Sequence, residues 1–346
     1  LTRIAPVITQ EMRISNENKS KLDNGNIYNQ QSKLDTLGID STKKVYSALK
    51  DKIDVTLIDE EYINDVQRYW EKRMGIKIDP VFHIYMQQNF NIKNKFFLPE
   101  VQYRLIQKSF NESKKTGAYT DKNLYDQIVK TNRQPKIYLK CVNQRYFINV
   151  NIPIKKTQIT THFNNIKDQS EFIIKPSRSA NGRKVSKLIF DNNNFTLNNR
   201  VVSISELEDL YGKNFVIQEL ITQHSLLKSM HPSSVNTIRM LTFRWNNDIT
   251  HLMSFLRIGI DGAINDNAGT GGICIGVQDD GKLNSLAVDE SGNKWLNHPT
   301  TNFSFQQETF IPNFQKFKEF VIDLHHDILH HDLVSWDIAV GDDGEP

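Results

Sequence analysis

FIIKPSRSANGRKVSKLIF, residues 172–190, is the stretch on which the reading of the fold turns. An apolar run ends at Lys175-Pro176, where proline has no N–H to continue a ladder, so the chain must turn. Ser177, Ser179, Ala180, Asn181 and Gly182 then make a loop of small residues, and the sequence returns to an apolar strand. Such a loop can bring backbone N–H groups close to phosphate oxygens, while a lysine at the strand end supplies a point charge. An ordinary hairpin with a surface lysine has the same pattern, so the loop alone leaves both readings open.

Outward from this loop the texture is consistent. After residue 117, short runs rich in β-branched and aromatic residues alternate with Asn, Asp and Gly turns, at 136–139, 145–152, 171–175, 214–220, 237–245, 251–260, 272–277 and 334–340. Asn246-Asn247-Asp248 and Asp279-Asp280-Gly281 are hairpin signals between such runs. A helix is predicted over 314–331, with Phe314, Phe317, Val321, Leu324 and Ile328 on its buried stripe. Mostly antiparallel sheets with packed helices make the class α+β.

Towards the N-terminus, residues 14–40 carry many Asn, Lys, Ser, Gln and Asp and few apolar anchors, which predicts a solvated, poorly ordered lead-in over 1–40. Residues 42–76 turn helical, with Val45, Leu49, Ile58, Tyr62, Val66 and Trp70 at spacings near three and four. A further amphipathic stretch, about 100–113, extends a helical support region over 41–115.

Forty-three basic against 40 acidic residues give a formal charge of +3 over 346 residues. That near balance argues against a dedicated nucleic-acid binder, which would show a basic stripe. Cys141 and Cys274 form neither a disulfide framework nor a zinc spacing, which fits a reducing, cytoplasmic location. No apolar run reaches the roughly 18 residues of a membrane helix. The chain starts without methionine and stops at Asp342-Asp343-Gly344-Glu345-Pro346, a hairpin signal where a returning strand is expected, so we read it as a fragment.

Four further features could carry chemistry. In NFVIQEL, residues 214–220, alternation sets Glu219 in line with Phe215 and Ile217; a ligand-contacting carboxylate and one emerging into water at the strand end are both open. Arg239 and Arg257 each interrupt a run that otherwise reads as core strand, which suits phosphate or carboxylate recognition or two structural ion pairs. Asn236, Asn267, Gly269, Gly271 and Gly272 would allow close approach of a backbone to a ligand. In SWDIAV, Asp337 is a lone acid on the strand face opposite Val334, Trp336 and Ile338, and is either a hard Mg2+ ligand or a satisfied surface residue. His326 and His330 have the spacing of a helical metal pair, but no third ligand stands beside them and a solvated face explains the spacing as well. No Walker loop, G-x-G-x-x-G or nucleophile elbow is present.

In order, these pieces resemble an ATP-grasp enzyme. The D-alanine:D-alanine ligase type shows a similar run, and the sugar-transfer-associated ATP-grasp family a closer one. The likeness is carried by Asp121-Lys122-Asn123-Leu124-Tyr125, Lys175-Pro176-Ser177, Gln218-Glu219, Gln223-His224 and Ser234-Val235-Asn236-Thr237-Ile238-Arg239. Arg257-Ile258-Gly259, Asp266-Asn267, Gly271-Gly272-Ile273 and Trp336-Asp337-Ile338-Ala339 continue it, from about Tyr85 to the end.

The resemblance implies an ATP-grasp fold with an N-terminal lobe over 116–217 and a C-terminal lobe over 218–346. It implies ATP and Mg2+ as cofactors, and small-molecule carboxylate and amine (or thiol) substrates joined through an acylphosphate. Lys122 and Lys175 would contact phosphates, and the loop with Ser177, Ser179, Asn181 and Gly182 would close over them. Gln218, Glu219 and Leu220 would form the adenine hinge, with Gln223 beside it. Arg257 and Arg239 would steady the transferring phosphoryl group, and Asp337 would bind Mg2+. In the family a glutamate and an asparagine two residues apart complete the metal site on the strand after the late aspartate; the sequence stops before such a strand. Polysaccharide biosynthesis and association with glycosyltransferase machinery are implied by the family alone. A non-catalytic nucleotide-binding module and a small-metabolite kinase are the alternatives.

Overall fold

Asparagine-rich turns organise the sheets. In the computed structural model, which describes residues 24–98, 100–167, 169–179 and 184–346, the pairs Asn143-Gln144, Asn192-Asn193, Asn198-Asn199 and Asn246-Asn247 all have positive φ at both positions. That is the two-residue turn whose twist matches paired strands, and asparagine tolerates it. Residues 180–183, with Asn181 and Gly182, lie outside the described residues.

The chain packs as two units, one of residues up to Gln107 with 290–293, the other of 108–289 with 294–346. In the first, helices α1 (Asn24–Leu37), α2 (Lys44–Leu49), α3 (Glu60–Met74) and α4 (Val81–Phe90) share a core that includes Leu34, Leu37, Leu49, Ile63 and Ile84. Helix α3 is bounded by its sequence. Asp59 accepts the Tyr62 N–H at 3.0 Å, Glu60 and Glu61 occupy the first turn, and Gly75 closes the helix in the left-handed region. Of the expected lead-in over 1–40, residues 1–23 lie outside the described residues and the remainder needs correction. From Asn24 it is helical, and Leu34, Leu37 and Ile39 are buried. Two leucines three apart are enough to dock a polar helix, although they barely register in its composition.

The second unit holds two sheets in which every neighbouring pair is antiparallel. The first comprises β1 (Ile137–Val142), β2 (Arg145–Ile148), β3 (Ile152–Ile154), β4 (Glu171–Pro176), β5 (Ser186–Asp191), β6 (Asn194–Leu197), β7 (Arg200–Val202) and β8 (Asn214–Glu219), in the order β3-β2-β1-β8-β4-β5-β6-β7. The second comprises β9 (Thr237–Trp245), β10 (Asp248–Ile258), β11 (Ile273–Val277), β12 (Leu283–Val288), β13 (Lys294–Trp295) and β14 (Leu333–Ala339), in the order β13-β12-β11-β10-β9-β14. This is the expected α+β architecture with antiparallel sheets and a helical N-terminal region.

Helix α5 (Glu100–Phe110) and the short α6 (Thr116–Tyr119) and α7 (Tyr125–Ile128) precede the sheets. Helices α8 (Ile159–Asn164) and α9 (Ile204–Tyr211) cover one face of the first sheet, around Leu139, Phe163, Phe172, Ile174, Phe215 and Ile217. Helices α10 (Ser225–Met230) and α11 (Phe314–His326) cover one face of the second, around Ile238, Met240, Leu256 and Phe317. Each sheet therefore keeps its other face for something else. Helix α11 stops at His326, five residues before the predicted end. Arg244 donates to the carbonyls of His325 and Ile328 at 2.7 and 3.0 Å, so a side chain satisfies groups that another helical turn would have used. Among the described residues, no helix is long and apolar enough to cross a membrane.

Candidate functional site

Strand register selects the residues on the uncovered face of the first sheet. Lys175 and Ile173 on β4 lie opposite Val216 and Gln218 on β8, and Lys140 on β1 lies opposite Val216, so all five share that face. Lys140 is spoken for. It is buried and donates to Asp126 at 2.6 Å and to Asn151 at 3.2 Å. Lys175 has no hydrogen bond or ion pair to any described residue. Burial, reinforced by the Lys122 charge, pulls its pKa down to about 8.

Lys122 is held at the mouth of the loop. Its N–H donates to the Ser177 carbonyl at 2.9 Å, and its ammonium to the carbonyls of Ser177 and Ser179 at 3.3 and 3.1 Å. Burial lowers its pKa too, against the pull of Asp121. Asp121 in turn accepts from Arg178 at 2.9 Å, tying the loop to the turn that carries Lys122. The Ser177 hydroxyl is fully buried and has no partner. Two desolvated ammonium groups beside an orphaned hydroxyl form a site that favours an oxyanion.

The uncovered face of the second sheet carries Arg239 and Thr237 on β9, Arg257 on β10, Cys274 on β11 and Asp337 on β14, in facing register. Arg239 clamps the Asp337 carboxylate, donating from Nε to one oxygen and from Nη2 to the other at 3.1 Å. Arg257 lies 3.3 Å from the same carboxylate and donates to Asp266 at 3.0 Å. Burial would disfavour the guanidinium charge, but Asp337 and Asp266 outweigh it and raise the pKa. Burial pushes the Cys274 thiol up to about 12, which makes it inert as a nucleophile at neutral pH. Burial raises the Tyr125 phenol pKa, and the charges of Asp337 and Asp121 raise it further, so this residue is within electrostatic reach of a carboxylate from each group.

The remaining sequence candidates divide. Ser179 and Gln218 belong with the lysines by position, and Leu220 follows at the exit of β8. Glu219 has the core-side orientation expected from alternation, and its carboxylate accepts the Lys136 N–H at 3.1 Å at the strand end. Gln223 does not fit a ligand role. Its amide donates to the carbonyls of His231 and Ser234 and accepts from the Asn236 backbone and side chain, so all four hydrogen-bonding positions are used inside the fold. The histidine pair is also corrected: His330 lies beyond the end of α11 and bonds the Tyr119 hydroxyl at 2.7 Å.

Sequence reading missed roles for Thr237, Asp266, Arg178 and Tyr125. Thr237 becomes legible only when the β9–β10 register sets it opposite Arg257, and Asp266 is one more polar residue in a loop until folding buries it. Among the described residues, no group of three His, Cys, Asp or Glu side chains could hold a metal by itself. A cation at Asp337 would need to bring its other ligands with it, as Mg2+ does with phosphate oxygens.

No curated protein matches the chain. The profile described as sugar-transfer associated ATP-grasp matches residues 101–346, which takes in both sheets and every lysine, arginine and carboxylate of the site. With two antiparallel sheets offering lysines from one and arginines with a late-strand aspartate from the other, the chain belongs to the sugar-transfer associated ATP-grasp family.

Proposed function

We propose that this chain is the ATP-binding and catalytic part of a ligase that joins a small-molecule carboxylate to an amine or thiol through an acylphosphate. The observation that carries the reading is Lys175, a desolvated ammonium without a protein counterion among the described residues, next to Lys122 and the orphaned Ser177 hydroxyl. Such an arrangement is costly unless an anion completes it. Nucleotide phosphates are the anion that an ATP-grasp family provides.

Lobes over 116–217 and 218–346 would close on the nucleotide, with Gln218, Glu219 and Leu220 at the adenine. Lys122, Lys175, Ser177 and Ser179 bind and orient the phosphates, and Asn181 and Gly182 belong to the same loop. Mg2+ at Asp337 supplies charge neutralisation when bound. Arg239 and Arg257 aim at the terminal phosphoryl group. A substrate carboxylate oxygen forms a bond to phosphorus as the bond to ADP breaks. The amine then forms a bond to the acyl carbon, phosphate leaves, and the ammonium proton is lost. Little covalent help is needed from the protein, so positioning and charge dominate. The proposed setting is a cytoplasmic role in surface-polysaccharide or related biosynthesis beside glycosyltransferases, an extension of a family described as sugar-transfer associated.

A nucleotide-binding assembly module is the second reading, favoured by one feature: the Asp337 carboxylate is already neutralised by two arginines. Calorimetry with Mg-ATP, followed by ADP release over a panel of carboxylates and amines, separates the two. Micromolar binding, lost in Lys175→Ala, with substrate-dependent ADP release supports the ligase, and Lys175→Ala should lower turnover on the order of 10²-fold. Binding without ADP release supports the module. No binding by the folded protein overturns both.

A further inference from the structure

The Arg257 guanidinium is aimed by a device that strand register and burial assemble from Thr237 and Asp266. It has two carboxylate neighbours of different kinds. The Asp337 side chain is 45% exposed, whereas that of Asp266 is 8% exposed and fixed from several directions. Asp266 accepts from the Thr237 backbone N–H at 2.8 Å and from the Thr237 hydroxyl at 2.5 Å through one oxygen, and from Arg257 at 3.0 Å through the other. The Thr237 hydroxyl also lies 3.2 and 2.8 Å from Arg257 Nε and Nη2.

The direction of these bonds is forced. A guanidinium can only donate, so the threonine oxygen must accept from Arg257. Its single proton is then available for one acceptor, the Asp266 carboxylate. The hydroxyl thus lies between a fixed anion and the cation, polarised in one sense, and together with Asp266 it sets the Nε–Nη2 edge of Arg257. Cooperative hydrogen bonds of this kind hold a charged group in one orientation in a low-dielectric setting.

We propose that Thr237 and Asp266 are positioning residues that hold Arg257 aimed at the terminal phosphoryl group of the bound nucleotide. The pair keeps the guanidinium in place when Asp337 turns to other partners. A carboxylate that must engage a cation cannot also be the fixed anchor of the arginine, and Asp266 supplies that anchor in place of Asp337. The inference rests on the proposed nucleotide site, and it predicts an effect confined to the group that distinguishes ATP from ADP.

The test is calorimetric binding of ADP and of a non-hydrolysable ATP analogue to wild type, Arg257→Gln, Thr237→Val, Thr237→Ser and Asp266→Asn, with thermal melts of each. Wild type should prefer the analogue over ADP, and Arg257→Gln should abolish that preference. Thr237→Val, close in shape but without the hydroxyl, should reduce the preference about tenfold with ADP affinity unchanged, since the hydroxyl's bonds to Arg257 and Asp266 are lost and the guanidinium is no longer held in one orientation. Thr237→Ser should restore it. Asp266→Asn should act like Thr237→Val and provides a second route if the valine variant folds poorly. A preference unchanged in Thr237→Val and Asp266→Asn, but lost in Arg257→Gln, overturns the positioning role and leaves the nucleotide reading intact. A preference that survives Arg257→Gln overturns the aim of Arg257 at the terminal phosphoryl group, and the positioning role with it, whereas no binding of either nucleotide by folded wild type overturns the nucleotide reading on which both rest.

Discussion

Replacing Lys175 with methionine should make the ligand-free protein more stable while destroying the proposed nucleotide site. The ordinary lysine pKa of 10.5 falls to about 8 here, because the ammonium is desolvated and faces Lys122 instead of a carboxylate. At about 1.4 kcal/mol per tenfold change in proton affinity, holding this lysine charged costs the fold about 3 kcal/mol. The sign follows from proton counting. Between pH of about 8 and 10.5 the unfolded chain binds the proton and the folded protein does not, so stability from this group rises with pH across that window. The cost is complete below about 8 and fades towards 10.5.

Methionine keeps the unbranched stem that packs beside Val216 and removes the charge. Lys175→Met should therefore gain up to about 3 kcal/mol at pH 7, a gain that nearly vanishes at pH 10.5. Denaturant unfolding of both proteins at the two pH values measures it, with Mg-ATP calorimetry alongside. A variant no more stable than wild type at pH 7, or equally favoured at both pH values, would refute the argument that Lys175 is an uncompensated charge. A stability gain together with loss of nucleotide binding is the signature of a functional site maintained against the fold.

Gly259→Ala should destabilise by about 1–3 kcal/mol, because its Cβ would meet Ser234 Oγ at 2.5 Å and His231 Nδ1 at 2.7 Å, two atoms already bonded to each other; unfolding curves would show it. Gln223→Met should lose about 2 kcal/mol or more by stranding its buried partners, yet leave the nucleotide affinity of the folded protein unchanged. Reduced affinity in that variant would restore Gln223 to the binding site. Burial holds His83 down to about 4. The unfolded chain therefore binds the extra proton first, and stability should fall by about 2 kcal/mol between pH 7 and 5 from this residue. His83→Phe should flatten the corresponding part of the acid unfolding profile, while His325, also held near 4, keeps its own share.

The sequence by itself determined the strand runs, the asparagine turns and the order of the site residues along the chain, because alternation and left-handed φ preferences are local properties of residue types. It also placed Lys175 at a strand end, since proline stops a ladder wherever it occurs. Only tertiary structure decided which of the polar candidates were free to bind. Gln223 and Lys175 are both polar residues next to core strands, yet one has every hydrogen-bonding position filled by Asn236, His231 and Ser234, and the other has none filled by any described residue. Likewise a leucine pair three residues apart could not reveal that the polar segment 24–37 docks as a helix, and the end of α11 was set by Arg244 from a distant strand. Burial and pairing are decided by neighbours far away in sequence. The same side chain is structural where the fold supplies its partner and functional where the fold withholds it.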